Sequence, residues 1–145
     1  MYYIYILKKE NNGSNRTFTV DTQMKYKEIT EESIKVLVDQ FYTKIRQDSE
    51  LGPVFEGTIG VDEASWKKHL LIMYDFWSSI MLTSGRYHGN PHQKHQNIPA
   101  FDIQLFDRWL NLFSETAHEV HDFRIAKQYV DRSQRIAESL KLSVK

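Results

Sequence analysis

Apolar residues recur at spacings of three and four along most of the chain, and this period is typical of α-helices. The first such run begins near Met24, and we expect Gly52-Pro53 to end it. Its apolar positions share one side of a helix, which predicts one amphipathic helix. These positions are Ile34, Leu37, Val38, Phe41, Tyr42 and Ile45.

Three further long helices are predicted downstream. Asp62 is placed to cap a helix that ends before Gly85, and His69 lies on its apolar side. Another helix covers "FDIQLFDRWLNLFSETAHEV", and the last begins near Asp122. Between the first two of these three helices, Pro91 is placed to start a short helix in the turn-rich "HGNPHQKHQNIPAF". The pattern predicts an all-α domain without internal repeats.

Residues 1–23 follow a different pattern. The β-prone runs "YYIYIL" and "RTFTV" flank a polar stretch that contains Asn12-Gly13, a favoured hairpin turn. An isolated two-stranded hairpin is only marginally stable in water, and no later segment reads as a strand that it could join. We therefore expect an N-terminal appendage at 1–23, either a hairpin or a segment without stable structure, followed by a single domain at 24–145.

Composition excludes several classes of protein. The chain has 145 residues, 41% of them hydrophobic, which suits one domain with one core. Its 19 basic and 19 acidic residues are interspersed, so nucleic acid is an unsuitable partner. The absence of cysteine excludes disulfides and thiolate metal sites and suits a reducing cytoplasm. The apolar N-terminal run is too short to span a membrane and lacks signal-peptide features, so we expect a cytoplasmic protein.

Histidines offer the main candidate chemistry. His88, His92 and His95 lie close together in the turn-rich stretch, where a solvated loop is the default interpretation. A zinc site completed by His118 and His121 is a second interpretation. The third is that one imidazole faces an apolar cavity holding a flat cofactor, opposite polar-tipped residues on other helices. Taken singly, Tyr42, His69 and Trp109 are each more typical of an ordinary core.

Four linked motifs favour the third interpretation. They are "IRQDSELGPVF", "DEASWKKHL" followed by "FWSSIML", "YHGNPHQKHQNIPAF" and "FDRWLNLFSE". In this order and at this spacing, the chain from Met24 to about Leu140 resembles the group III truncated haemoglobins. The resemblance implies a truncated globin fold, an abbreviated helical sandwich around haem b (iron protoporphyrin IX), and binding of O2 and other diatomic gases. Residues 1–23 have no counterpart in that family.

The resemblance also implies roles for individual residues. It makes His95 the proximal ligand of the haem iron, with His88 and His92 as neighbours that do not bind it. Tyr42, His69 and Trp109 take the distal positions that stabilise the bound gas. The cofactor-contacting positions are Phe55, His69, Met73, His95, Phe101 and Trp109.

Hydrogen-bond donors on the distal side imply slow release of O2, because the ligand becomes partly negative when it binds ferrous iron. Two such bonds, at about 1 to 3 kcal/mol each, slow release by roughly thirtyfold to more than ten-thousandfold. This argues against a simple carrier and leaves O2 scavenging, peroxidase-like chemistry or nitric-oxide chemistry with a reductase. Two alternatives stay open: a non-haem zinc or iron enzyme using the histidine cluster, and a globin-fold sensor or interaction module.

Overall fold

In the computed structural model, residues 25–89 and 102–142 are described in full, and the backbone is also described at 7–9 and 18–20. Five α-helices lie within these ranges, in agreement with the predicted all-α class. None of the helices described there is both long and apolar enough to cross a bilayer. The helices are α1 (Glu31–Gln47), α2 (Leu51–Ile59), α3 (Glu63–Leu82), α4 (Leu105–Val120) and α5 (Phe123–Lys141).

Two short strands precede the helices. Strand β1 (Leu7–Lys9) pairs antiparallel with β2 (Phe18–Val20), with Leu7 opposite Val20. This pairing is the one that the predicted hairpin requires, although the turn at Asn12-Gly13 lies outside the described residues. The division of the chain into an appendage and a domain remains a prediction.

The predicted end of the first helix is wrong. Helix α1 ends at Gln47, and the Asp48 carboxylate then accepts the N–H groups of Glu50 and Leu51 to begin α2. Pro53 lies in the first turn of α2, where the missing N–H would have no partner within the helix. A Cβ atom at Gly52 would lie 3.0 Å from the Arg46 carbonyl oxygen, so this glycine lets α2 approach the end of α1. Gly52-Pro53 therefore belongs to a helix start.

The predicted starts of the second long helix and of the last are confirmed. The predicted starts near Met24 and at Phe101 are wrong, because Thr30 caps α1 by accepting the N–H of Ser33, and α4 begins at Leu105. Asp62 caps α3 by accepting the N–H of Ser65 at 2.9 Å. Asp122 caps α5 in the same way, at 3.1 Å from the N–H of Ile125. Helix α3 ends just before Thr83, whose φ of 60° is left-handed. The short helix predicted at Pro91 lies outside the described residues.

Helix α1 is central to the described domain, because it packs against α2, α3 and α4, while α5 covers α4. The core between them is rich in aromatic rings. Trp77 of α3 stacks on Phe113 of α4, with centroids 5.0 Å apart and planes 14° from parallel. The chain before α1 is fixed to the corner between α4 and α5 by two backbone hydrogen bonds. The Tyr26 N–H donates to the Val120 carbonyl oxygen, and the Tyr26 carbonyl oxygen accepts from the Asp122 N–H.

Candidate functional site

Tyr42 of α1 and His69 of α3 lie in direct contact. Their ring centroids are 4.8 Å apart and the rings are nearly perpendicular, at 87°. Tyr42 is almost completely buried, and burial raises the pKa of its phenol well above the ordinary value. The group therefore stays a neutral hydroxyl, which can donate a hydrogen bond. His69 is half-buried, with its Nε2 atom inside the protein.

Trp109 of α4 approaches this pair through Phe41. The Phe41 ring meets Trp109 edge-on at 5.6 Å and meets Tyr42 at 5.0 Å. Trp109 also stacks on Phe113, with the two ring planes only 5° apart. The structure thus joins Tyr42 directly to His69, and joins Trp109 to Tyr42 through a shared neighbour.

Phe55 and Met73 border the same region. The Phe55 ring of α2 lies 6.1 Å from the Tyr42 ring, and Met73 follows His69 by four residues on the same side of α3. Both side chains pack against the core yet remain half-buried, as does Trp109. Large apolar side chains that are only partly covered, beside a few polar groups, suit a flat apolar ligand.

The remaining predicted residues are less informative. His95 and Phe101, like His92, lie outside the described residues, so their roles stay predictions. His88 is exposed. Within 25–89 and 102–142, no three His, Asp or Glu side chains are placed to bind a metal ion, which gives the zinc-enzyme alternative no support there.

The two histidines near the end of α4 have separate surroundings. The Nδ1 atom of His118 lies 2.9 Å from the Ser114 carbonyl oxygen, one turn earlier. His121 is fully buried, with its ring 5.8 Å from Tyr26 and 5.0 Å from Tyr129. These contacts place His121 in the core and make it unsuitable as an accessible metal ligand.

Trp66 lies within the motif "DEASWKKHL", to which the sequence gives no role at that position, but the structure places it in the site. Its indole ring lies 5.7 Å from His69 and 6.2 Å from Tyr42. The spacing of three residues between Trp66 and His69 was the available signal, because such residues are neighbours on a helix. The guanidinium of Arg46 lies over the indole at 4.6 Å. Because Arg46 belongs to another helix, no local pattern in the sequence predicts this contact.

Comparison with known proteins agrees with this architecture. No protein-family model matches the chain. A solved structure, that of the group III truncated haemoglobin from Campylobacter jejuni, matches with a TM-score of 0.78 and 36% identity, covering 80% of this chain and 91% of that one. The fold is therefore that of a truncated globin.

Sequence similarity to a curated protein supports the same family. A curated group 3 truncated haemoglobin from Campylobacter jejuni is 38% identical over 114 residues, which are 79% of this chain and 90% of that relative. The chain belongs to the group III truncated haemoglobins. The predicted fold and family are confirmed.

Proposed function

We propose that this chain is a haem protein that binds O2 and other small diatomic gases and releases O2 slowly. Membership of the truncated haemoglobin family supports the haem and gas-binding role. The observation that carries the proposal within this chain is the contact between Tyr42 and His69, two polar-tipped rings held 4.8 Å apart on facing helices. The bound haem b would supply the iron at which the gas binds reversibly.

The side chains of the site fit such a cofactor. A macrocycle needs apolar walls, and Phe55 and Met73 offer half-buried apolar surfaces beside the Tyr42–His69 pair. In the proposal these two residues and Phe101 would contact the macrocycle, and His95 would ligate the iron. The roles of His95 and Phe101 rest on the family resemblance.

Each distal residue contributes in a different way. The Tyr42 hydroxyl remains protonated because burial raises its pKa, so it serves as a donor across the physiological pH range. The His69 ring, set edge-on against the phenol, restricts the rotation of both side chains. The Trp109 indole supplies a further N–H donor.

Donors held in place before the gas binds stabilise a partly negative ligand effectively, because no reorganisation is needed. Two donor hydrogen bonds at about 1 to 3 kcal/mol each give a release slower by roughly thirtyfold to more than ten-thousandfold. Slow release suits O2 scavenging, or a peroxidase-like or nitric-oxide reaction supported by a reductase, better than it suits transport. Of these we propose scavenging, since it needs no step beyond tight binding.

An absorption spectrum of the haem-reconstituted protein tests the proposal. We expect a Soret band in the wild type, its loss or weakening in His95→Ala, and its retention in the matched control His92→Ala. The two histidines lie three residues apart in one stretch, so a general disturbance of that stretch would affect both variants. A wild type without a Soret band contradicts haem binding, and equal damage in both variants contradicts the choice of His95.

A further inference from the structure

Trp66 contacts both members of the Tyr42–His69 pair. The indole is 2% exposed, and its ring meets the His69 ring at 83° and the Tyr42 ring at 55°. It therefore packs behind the two groups that the proposed function places beside the gas. A rotation of either ring toward the indole would be blocked by close packing.

The indole is itself fixed by the loop between α2 and α3. Its Nε1–H donates to the Gly60 carbonyl oxygen at 2.8 Å. Gly60 has φ of +117°, a conformation that L side chains rarely adopt, and its own N–H donates to the Glu56 carbonyl at the end of α2. The glycine can thus close α2 and present its carbonyl oxygen to Trp66 at the same time.

Arg46 holds the indole from the side of α1. Its guanidinium carbon lies 4.6 Å from the ring centroid, within the range of a cation–π contact. The same guanidinium donates to both carboxylate oxygens of Glu63, at 3.1 and 3.4 Å, at the start of α3. Two other parts of the fold, α1 and the α2–α3 loop, therefore hold this side chain of the first turn of α3.

We infer that Trp66 is a positioning residue that sets the relative orientation of Tyr42 and His69, with Arg46 and Glu63 as its outer support. This inference rests on the proposed function, because its consequence is a property of gas binding. Hydrogen bonds weaken steeply as their angle departs from linearity, so a small rotation of the phenol reduces the bond that it can donate. Trp66 acts on the gas through Tyr42 and His69 and needs no contact of its own with it.

The variant Trp66→Phe tests this role in the haem-loaded protein. Phenylalanine keeps an aromatic ring behind His69 and Tyr42 but loses the donor to Gly60. We expect the O2 dissociation rate to rise by about fivefold, because a weakened hydrogen bond loses only part of what its removal would lose. We also expect the C–O stretching frequency of the carbon monoxide complex to shift, because it responds to nearby donors.

The matched control is Trp77→Phe. Trp77 is an equally buried indole on the same helix, but it stacks on Phe113 in the core. The Trp77→Phe variant should lower the stability of the protein while leaving the O2 dissociation rate and the C–O stretching frequency close to wild type. A second variant, Arg46→Gln, removes the cation above Trp66 and should raise the rate in the same direction as Trp66→Phe by only about two- to threefold.

The outcomes separate the two levels of the argument. A Trp66→Phe variant that keeps its Soret band with an unchanged rate and stretch overturns the positioning role alone. Equal changes in Trp66→Phe and Trp77→Phe also overturn it, since they would reflect a general loss of packing. A wild-type protein that fails to bind haem contradicts the proposed function instead.

Discussion

Among the described residues, two pairs of tyrosine and histidine hold their rings at nearly the same separation. Tyr42 and His69 join α1 to α3 with centroids 4.8 Å apart, and Tyr129 and His121 join α5 to the end of α4 with centroids 5.0 Å apart. The same residue types therefore occur in two places, yet only the first pair is a candidate for chemistry.

Access distinguishes the two pairs. His121 is fully buried beneath Tyr26, and among the described residues neither of its ring nitrogens nor the Tyr129 hydroxyl has a hydrogen-bond partner. Burial lowers the pKa of His121 to about 4, so the ring is neutral at physiological pH. His69 is half-buried and stands beside the partly covered surfaces of Phe55 and Met73. A polar pair can act as a binding site only when a ligand from outside the core can reach it.

The largest effect of this difference should be that the protonation of His121 makes the free energy of unfolding depend on pH. The unfolded residue binds a proton near pH 6.5, whereas the folded residue does so only near pH 4. The unfolded state thus binds more protons between these values, so stability is complete above about pH 7 and is lost as the pH falls. Between pH 7 and pH 5 the loss from this group should be about 2 kcal/mol.

Urea unfolding of the wild type and of His121→Phe at both pH values measures this loss. The variant should keep more of its free energy of unfolding at pH 5, because it has no buried imidazole to protonate. His118→Gln is the matched control, because His118 is on the same helix end but only half-buried. This variant should retain the pH dependence of unfolding seen in the wild type. An identical pH dependence in His121→Phe and the wild type contradicts the assignment.

A smaller effect is expected at Trp109. This residue reaches Tyr42 only through the Phe41 ring, so Trp109→Phe should remove one donor without disturbing the Tyr42–His69 contact. The O2 dissociation rate should rise by about fivefold, as expected for a bond of about 1 kcal/mol. Stopped-flow measurement checks this, and an increase larger than that of Tyr42→Phe would mean that the indole is the main donor.

The smallest effect concerns the hydroxyl of Tyr129. The Tyr129 hydroxyl is buried without a hydrogen-bond partner among the described residues. Removing it loses no hydrogen bond and relieves the cost of burying it, so Tyr129→Phe should leave the free energy of unfolding unchanged or raise it by up to about 1 kcal/mol. Chemical denaturation at pH 7 gives the value. A loss of more than about 2 kcal/mol would show that the hydroxyl contributes a stabilising interaction.

Local signals in the sequence were sufficient for much of the fold. Asp62 caps its helix as predicted, and the last helix starts near Asp122 as predicted, because a helix start depends on residues within one turn. The end of α1 was misplaced for the opposite reason: the Asp48 carboxylate starts a new helix, and Pro53 is tolerated in its first turn. A proline read alone does not reveal on which side of a helix boundary it lies.

The candidate site shows the same limit. Helical period places His69 on an apolar side, but it does not distinguish His69 from His121, which the zinc interpretation combines with His118 as a potential ligand. Tyr26, which covers His121 at 5.8 Å, is distant in sequence. Arg46 likewise reaches Trp66 from another helix. Contacts between segments far apart in the chain decide these roles, and motif resemblance supplied what periodicity could not.

The O2 dissociation rate of Tyr42→Phe, measured beside Tyr129→Phe in haem-loaded protein, tests the central claim most directly. Each variant removes one buried phenolic hydroxyl that lies next to a histidine, so the two changes are chemically matched. We predict a rate at least about tenfold faster than wild type for Tyr42→Phe and an unchanged rate for Tyr129→Phe. Unchanged rates in both, or equal increases in both, would contradict the assignment of Tyr42 as the donor to the gas.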